Sequence, residues 1–202
     1  MKLYYSPGAC SLSPHIVLHE CGLPFDIEKV DLATKLTSVG QDFRQINPKG
    51  YVPALILDNG HMLTEGPAII QYVADLVPHK NLAPSAGSLE RYQLQEWLNY
   101  LSTEIHKGFT PLFFPTVPQE TKESARKLLT KRIGFVATAL AGRDYLMGPS
   151  FSVADAYLFT VLSWAPHVGF DLSPWPVLQT YQKRVGNRPA VQATLKAEGL
   201  MV

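Results

Sequence analysis

Cys10 stands two residues after Gly8 of a Pro7-Gly8 pair and directly before a run, Ser11 to Cys21, in which Leu12, Ile16 and Leu18 recur at roughly helical spacing. A thiol at a strand-to-helix turn is open to a partner. The unpaired N–H groups and dipole of a helix start favour its thiolate and lower its pKa. The alternative is a small filler, since free cysteine is among the most buried residue types. The Pro-Gly turn before it and the helix start after it favour the reactive group.

The segment Cys10-Ser11-Leu12-Ser13 has no second cysteine of a Cys-x-x-Cys pair. A redox cycle at Cys10 therefore needs an external thiol, and glutathione is the obvious supplier. The other cysteine, Cys21, lies near the end of the same helical run, where a core position is expected. A rise of about 1.5 Å per residue separates the two by roughly 16 Å, beyond disulfide reach. Two separate thiols suit a reducing compartment.

Two further features suit an extended, charged peptide ligand. In Tyr51-Val52-Pro53 the residue before proline is held extended, so the Val52 backbone is available to pair with a ligand strand. Glu65-Gly66, at another helix start, offers a carboxylate for an ammonium group and N–H groups for a carboxylate. Taken singly, these are an ordinary strand start and an ordinary helix cap; their occurrence together with Cys10 in one half of the chain argues for a site. His15 and His19, at i and i+4, lack a His-Glu-x-x-His pattern and a third ligand, so they read as solvated or half-buried side chains and no metal is assigned. His106 follows an apolar stripe and reads equally as a capped surface residue or, with Lys107, as positive charge near a thiolate if their helix faces the first half.

The elements that must position these residues fall into two halves. KLYY (2–5) and FDIEKVDL (25–32) read as strands around the first helix, with an irregular helical stretch expected around 33–46. ALIL and HML flank Asp58-Asn59-Gly60, a hairpin signal, and Pro67 then opens a helix through AIIQYVADLV. The order is β-α-β-α-β-β-α. Residues 78–88, rich in Pro, Ser and Gly, read as a linker. Beyond them Leu94, Trp97, Leu98, Leu101 and Ile105 mark a long amphipathic helix, residues 119–142 a second, and Ser152 with Asp155 the spacing of a capping box. The second half is helical.

With 18 basic and 17 acidic residues among 202, and a formal net charge of +1, nothing points to nucleic acid or another polyanion. Hydrophobic residues make up 46% and charged residues 17%, the composition of a folded chain with a sizeable core. Ser6, Pro7 and Gly8 interrupt the N-terminus before an apolar stretch of signal-peptide length forms, and no run is long enough to span a bilayer. A cytoplasmic protein without membrane partners is expected.

Across essentially its whole length the chain resembles the bacterial beta-class glutathione S-transferases. The stretches that carry the resemblance are MKLYYSPGACSLSPHIVL, NPKGYVPAL, LTEGPAIIQYVAD, EWLNYLSTEIHKGFTPLF and FSVADAYLFTVLSWA. The resemblance implies a thioredoxin-like domain over residues 1–80, an all-helical domain over 88–202 with an electrophile pocket and dimer contacts, and a homodimer. It implies conjugation of the glutathione thiolate to electrophilic small molecules, with thiol-disulfide exchange at Cys10. Glutathione is then a co-substrate, not a permanently bound cofactor.

By the same resemblance Cys10 and His106 are catalytic. Lys35 pairs with the glycyl carboxylate of glutathione, Val52 supplies backbone pairing next to a cis Pro53, and Glu65 and Gly66 hold the γ-glutamyl end. Gly66 stands where many transferases have Ser, so a hydroxyl contact is lost while the N–H stays. Tyr5 and Ser11 assist Cys10, and Asn99, Thr103, Glu104 and His106 border glutathione from the long helix. Trp164 and Lys107 line the electrophile pocket. The competing reading is a non-catalytic binding protein for glutathione and hydrophobic ligands, which predicts saturable binding and no glutathione-dependent product.

Overall fold

In the computed structural model, which describes residues 1–201, Lys2–Tyr5 forms β1 and Asp26–Lys29 forms β2. Ala54–Ile56 and Met62–Thr64 form β3 and β4. The sheet order is β2-β1-β3-β4, with β1 parallel to β2 and antiparallel to β3. In the central strand β1, Leu3 pairs with Ile27 on one side and Leu55 on the other. Asn59-Gly60 turns the β3-β4 hairpin as its sequence predicts: Gly60 adopts φ +81°, and the Leu57 N–H donates to the His61 carbonyl at 2.8 Å.

Two helices complete the sheet domain. Leu12–Cys21 forms α1, closed by Gly22 in the left-handed conformation. Gly66–Asp75 forms α2, with Pro67 in its first turn. α1 packs against α2 and against a helix from the far end of the chain, which is why nearly every one of its residues is buried.

The helix expected around 33–46 reduces to one 3₁₀ turn, Phe43–Gln45. The Asp31 carboxylate accepts the N–H groups of Ala33 and Thr34, Lys35 takes φ +63° and Gly40 φ +82°, so local side-chain bonding and turn geometry displace the helix. The thioredoxin-like order is otherwise as read from the sequence.

The described residues divide into two compact units. One joins Met1–Asn81 with the segment from Asn187 on; the other is Leu82–Gly186. The last helix therefore groups with the sheet domain, whereas the sequence reading carried the helical domain on to residue 202.

The second unit begins with α3, Leu89–Tyr100, whose cap Ser88 accepts the Arg91 N–H at 3.1 Å. A π-helical turn, Leu101–His106, runs on into α4, Lys107–Phe113. α5 is Gln119–Ala139, α6 is Val153–Leu162 and α7 is Pro176–Gly186. The Asp155 carboxylate, buried in α6, accepts from the backbone N–H of Leu146 and Ser152, the Ser152 hydroxyl and the Tyr181 hydroxyl. Burial pushes its pKa up against the pull of these donors. No helix among the described residues is long and apolar enough to cross a membrane.

Candidate active site

The β1-α1 turn carries Cys10, half-buried, with its sulfur 3.3 Å from the Val52 carbonyl oxygen. Val52 leads into the cis peptide bond with Pro53, just before β3. A Cβ built on Gly66 at the start of α2 would lie 3.9 Å from the Ser13 hydroxyl and 4.0 Å from Pro53 Cγ. The turn, the Val52-Pro53 segment and the start of α2 thus converge, and residues 10, 52, 53 and 66 share one side of the sheet domain.

Backbone donors point to what this convergence can hold. The Val52 N–H and the Gly66 N–H have no acceptor among the described residues. Pro67 supplies no N–H, and the Ala68 and Ile69 N–H groups both go to the Glu65 carbonyl at 3.0 Å. An extended segment pairing with Val52 and a carboxylate on the Gly66 N–H are what these groups can accept.

The first turn of α1 differs from the sequence expectation. The Leu12 and Ser13 N–H groups are taken by the carbonyls of Ala9 (2.9 Å) and Cys10 (3.3 Å), and Pro14 has none. Of Ser11, Leu12 and Ser13, Ser11 alone keeps an N–H without an acceptor among the described residues. The supply of free donors beside the thiol is narrower than a helix start by itself implies. The Ser11 hydroxyl, fully buried, accepts the Ser6 N–H at 3.1 Å and lies 3.2 Å from the Ser6 carbonyl, to which it donates, so it braces the turn from within.

Glu65 and Lys35 share an uncommon backbone state. Three non-glycine residues among those described have positive φ, and two of them are Glu65 (+66°) and Lys35 (+63°). Such strain concentrates at sites where a side chain must be aimed. The Glu65 carboxylate accepts from the Lys49 ammonium at 2.6 Å and the Tyr51 hydroxyl at 3.0 Å. A ligand ammonium would therefore share Glu65 with Lys49, a residue the sequence reading did not single out; the short spacing from Lys49 to Val52 was its only signal. The Lys35 ammonium pairs with no carboxylate among the described residues.

Tyr5 is buried at the end of β1, its ring 5.7 Å from that of His15. Its phenol pKa is raised, by burial first and by Glu198 next. His15 corrects the expectation of a solvated or half-buried histidine: it is fully buried, its Nδ1 2.8 Å from Glu198 Oε1, and stacked on His19 at 5.1 Å. An apolar helix face left no water for it, so a carboxylate from residue 198 does the partnering. Sequence spacing held no signal for a partner 183 residues away.

In the helical unit His106 closes the π-helical turn. Its Nδ1 lies 2.7 Å from the Tyr157 hydroxyl, and its ring meets Trp164 edge-on at 4.8 Å. π turns recur at functional sites because the extra residue re-aims the side chains that follow. Asn99 and Thr103 are exposed and joined within the helix by a 3.1 Å bond from the Thr103 hydroxyl to the Asn99 carbonyl. Glu104 forms a 2.5 Å ion pair with Arg132 and lines a groove of about 640 Å³ with Trp97, Tyr100, Leu128 and Phe135.

Trp164, expected to line an electrophile pocket, is only 7% exposed and is enclosed by His106, Phe109 and Phe113. Lys107 is exposed. The aromatic surface at the end of α4 belongs instead to Phe113 and Phe114, which the sequence reading passed over. No group of three or more His, Cys, Asp or Glu side chains among the described residues is placed to hold a metal ion.

Two family models match the chain: "Glutathione S-transferase, N-terminal domain" over residues 8–76 and "Glutathione S-transferase, C-terminal domain" over residues 100–189. Glutathione S-transferase GstA of Escherichia coli O157:H7 is 50% identical over 200 residues, covering 99% of this chain and all of that protein. The solved ternary complex of BphK, a bacterial GST, is 60% identical with a TM-score of 0.97, over 98% of this chain and all of that one. The bacterial beta-class glutathione S-transferase of Sphingomonas chungbukensis is 50% identical with a TM-score of 0.96 over the full length of both chains. With sheet order, turn geometry and sequence in agreement over the whole length, the chain belongs to the glutathione S-transferase family and, within it, to the bacterial beta class.

Proposed function

We propose that this glutathione transferase, which joins the thiolate of glutathione to electrophilic small molecules, also performs thiol-disulfide exchange through Cys10. One observation carries the proposal: a half-buried thiol 3.3 Å from the Val52 carbonyl, on a segment whose own N–H is left for an extended ligand. A cysteinyl sulfur paired along Val52 meets Cys10 there. Conjugation forms a carbon–sulfur bond as the glutathione thiolate displaces a leaving group or adds to the electrophile. In exchange, the Cys10 thiolate attacks the glutathione sulfur of a substrate disulfide that carries glutathione, forming a mixed disulfide on Cys10 and releasing the substrate thiolate; a free glutathione thiolate then attacks the bound glutathione sulfur, restores the Cys10 thiolate and leaves as oxidised glutathione, so that the substrate is reduced and glutathione oxidised.

In this reading the Gly66 N–H and Glu65 take the γ-glutamyl end, Val52 beside Pro53 pairs with the cysteinyl backbone, and Lys35 answers the glycyl carboxylate. Tyr5 and Ser11 shape the turn that carries Cys10. His106, oriented by Tyr157 and Trp164, is the second catalytic residue. Asn99, Thr103 and Glu104 are further candidates for glutathione binding, and Lys107 with the exposed rings of Phe113 and Phe114 for electrophile selection, Trp164 backing Phe113 from within. Cys10→Ala should abolish disulfide reduction and keep conjugation of an aryl halide; unchanged reduction would reject the role of Cys10, and wild-type protein that binds glutathione yet forms no product would favour the carrier reading.

The functional unit we propose is a cytoplasmic homodimer. The groove between α3 and α5 supports the dimer: exposed Leu128 and Phe135 stand beside acidic Glu96 and Glu104 and basic Lys131 and Arg132, a mixture that two-fold symmetry can make self-complementary. Phe135→Glu should shift the sedimentation coefficient to that of a single chain. That neither Cys10 nor Cys21 is in a disulfide supports the reducing compartment.

A further inference from the structure

Away from the reacting centre, a buried carboxylate on the edge strand of the sheet reaches furthest. Glu28 lies on β2, opposite Tyr4 of β1, and is buried, which an ionised side chain tolerates only when its oxygens are partnered. Its Oε1 accepts the Ser38 hydroxyl, and its Oε2 lies 3.1 Å from the Lys2 ammonium. These two donors, Ser38 first, hold its carboxyl below the usual carboxylate range, so the group is charged in the folded protein. Lys2 belongs to the sheet. Ser38 does not: it stands in the segment 31–42, between β2 and the 3₁₀ turn, where a helix was expected and none forms.

Without a regular ladder, that segment is held at a few points. The Ser38 N–H donates to the Lys29 carbonyl at 2.9 Å, the Thr37 backbone bridges Val30 and the Leu36 backbone bridges Asp42. The side chains of Asp31 and Thr37 bond within the segment, to the N–H groups of Ala33, Thr34 and Gln41, whereas that of Glu28 reaches into it from the sheet. Lys35 sits between these ties. Its N–H donates to the Asp31 carbonyl and its carbonyl accepts the Phe43 N–H, both at 2.8 Å, and Phe43 packs in one apolar cluster with Tyr4, Val30 and Val52. The backbone of Lys35 is fixed in the left-handed region and its ammonium pairs with no carboxylate among the described residues, so the side chain is set to meet an anion from outside the chain.

We infer that Glu28 is a positioning residue for Lys35 and thereby sets how far the protein prefers glutathione to γ-glutamylcysteine, which lacks the glycyl residue. The inference deepens the reading in which Lys35 answers the glycyl carboxylate, and rests on it. Glu28 touches no ligand. It acts by keeping Ser38, and with it the segment that carries Lys35, against β2. A bond from an ammonium to a carboxylate depends on its geometry, so a segment free to shift gives up part of it, while the ends of the ligand held at Val52 and Gly66 are unaffected.

The test is calorimetric titration of the full-length protein with glutathione and with γ-glutamylcysteine, well below the unfolding temperature, read as the ratio of the two Kd values. Wild type should favour glutathione by about tenfold or more, and Lys35→Ala should bring the ratio to within about twofold of unity. Glu28→Ala should reduce the preference by about threefold or more and leave the Kd for γ-glutamylcysteine unchanged. Ser38→Ala alters an exposed position and leaves Glu28 with Lys2, so it should do the same, and it decides if Glu28→Ala does not fold. In the Lys35→Ala background, Glu28→Ala should narrow the ratio no further. A role confined to stability would lower the Tm and keep the wild-type ratio in the folded variants; that result, or an equal weakening of both ligands, overturns the inference. Lys35→Ala with the wild-type ratio would overturn the reading of Lys35 and the inference together, an outcome distinct from a preference lost in Lys35→Ala and kept in Glu28→Ala.

Discussion

The two thiols of this chain stand at opposite ends of one helix, and each lies near a backbone carbonyl: Cys10 at 3.3 Å from Val52 and Cys21 at 3.6 Å from Val73. A hydrogen bond therefore does not distinguish the two thiols. Exposure and solvation do. Cys21 is buried at the carboxyl-terminal end of α1, beside Glu20, and its thiol is raised to about 11, mainly by loss of water. Cys10 is half-buried on the turn that enters the helix, facing a segment with an N–H to spare. Along the helix the dipole works in the same sense, favouring an anion at the first end and opposing it at the second.

The largest difference between the two thiols is expected on alkylation of the native protein at pH 7.5. With a pKa of about 11, fewer than about one Cys21 in a thousand is thiolate. Peptide-resolved labelling with iodoacetamide should favour Cys10 by about a hundredfold or more, and comparable rates would end the distinction.

A smaller effect is expected from Ser11→Ala, which strips the turn of its inner brace and strands the Ser6 N–H. It should lower stability by about 1–2 kcal/mol in chemical denaturation and slow Cys10 modification, with no change at Cys21. A variant that loses stability but keeps the Cys10 rate would mean that the turn holds its shape without the hydroxyl.

The smallest effect belongs to Cys21. Its folded-state pKa of about 11 lies above the unfolded value near 9, so between those limits the folded state binds the proton more tightly than the unfolded one. Stability attributable to this thiol is complete below pH 9 and is lost as pH rises towards 11, at no more than about 1.4 kcal/mol per pH unit. Cys21→Ala should remove that part of the alkaline slope, cost about 1 kcal/mol at neutral pH through lost packing, and leave glutathione chemistry intact. An identical slope in the variant would assign it to another group.

The turn around Cys10, the hairpin at Asn59-Gly60 and the start of α2 at Pro67 were legible in the sequence because each is decided within a few residues, by a glycine that can take positive φ or a proline that lacks a donor. The stripe Leu94, Leu98, Leu101 and Ile105 is buried as its spacing foretold, although Trp97 turns into the groove instead. The stretch 33–46 misread as helical shows the limit of that locality: a single Asp31 carboxylate capturing two N–H groups outweighed the propensities around it.

Near neighbours in the chain settled the order of elements, the turn that carries Cys10, the extended backbone at Val52 and the helix start at Gly66, because short-range sterics and hydrogen bonding act over a few residues. Tertiary structure alone decided that Lys49 neutralises Glu65, that Trp164 is packed away while Phe113 and Phe114 remain exposed, and that Glu198 returns to clasp Gly8 and His15. Those pairings join residues from 16 to 190 positions apart. The Glu198 contacts are selected by the cost of burying a polar group without a partner, which is met only once the folded core brings the groups together, whereas the exposed Lys49–Glu65 pair follows from where the chain before β3 and the start of α2 meet.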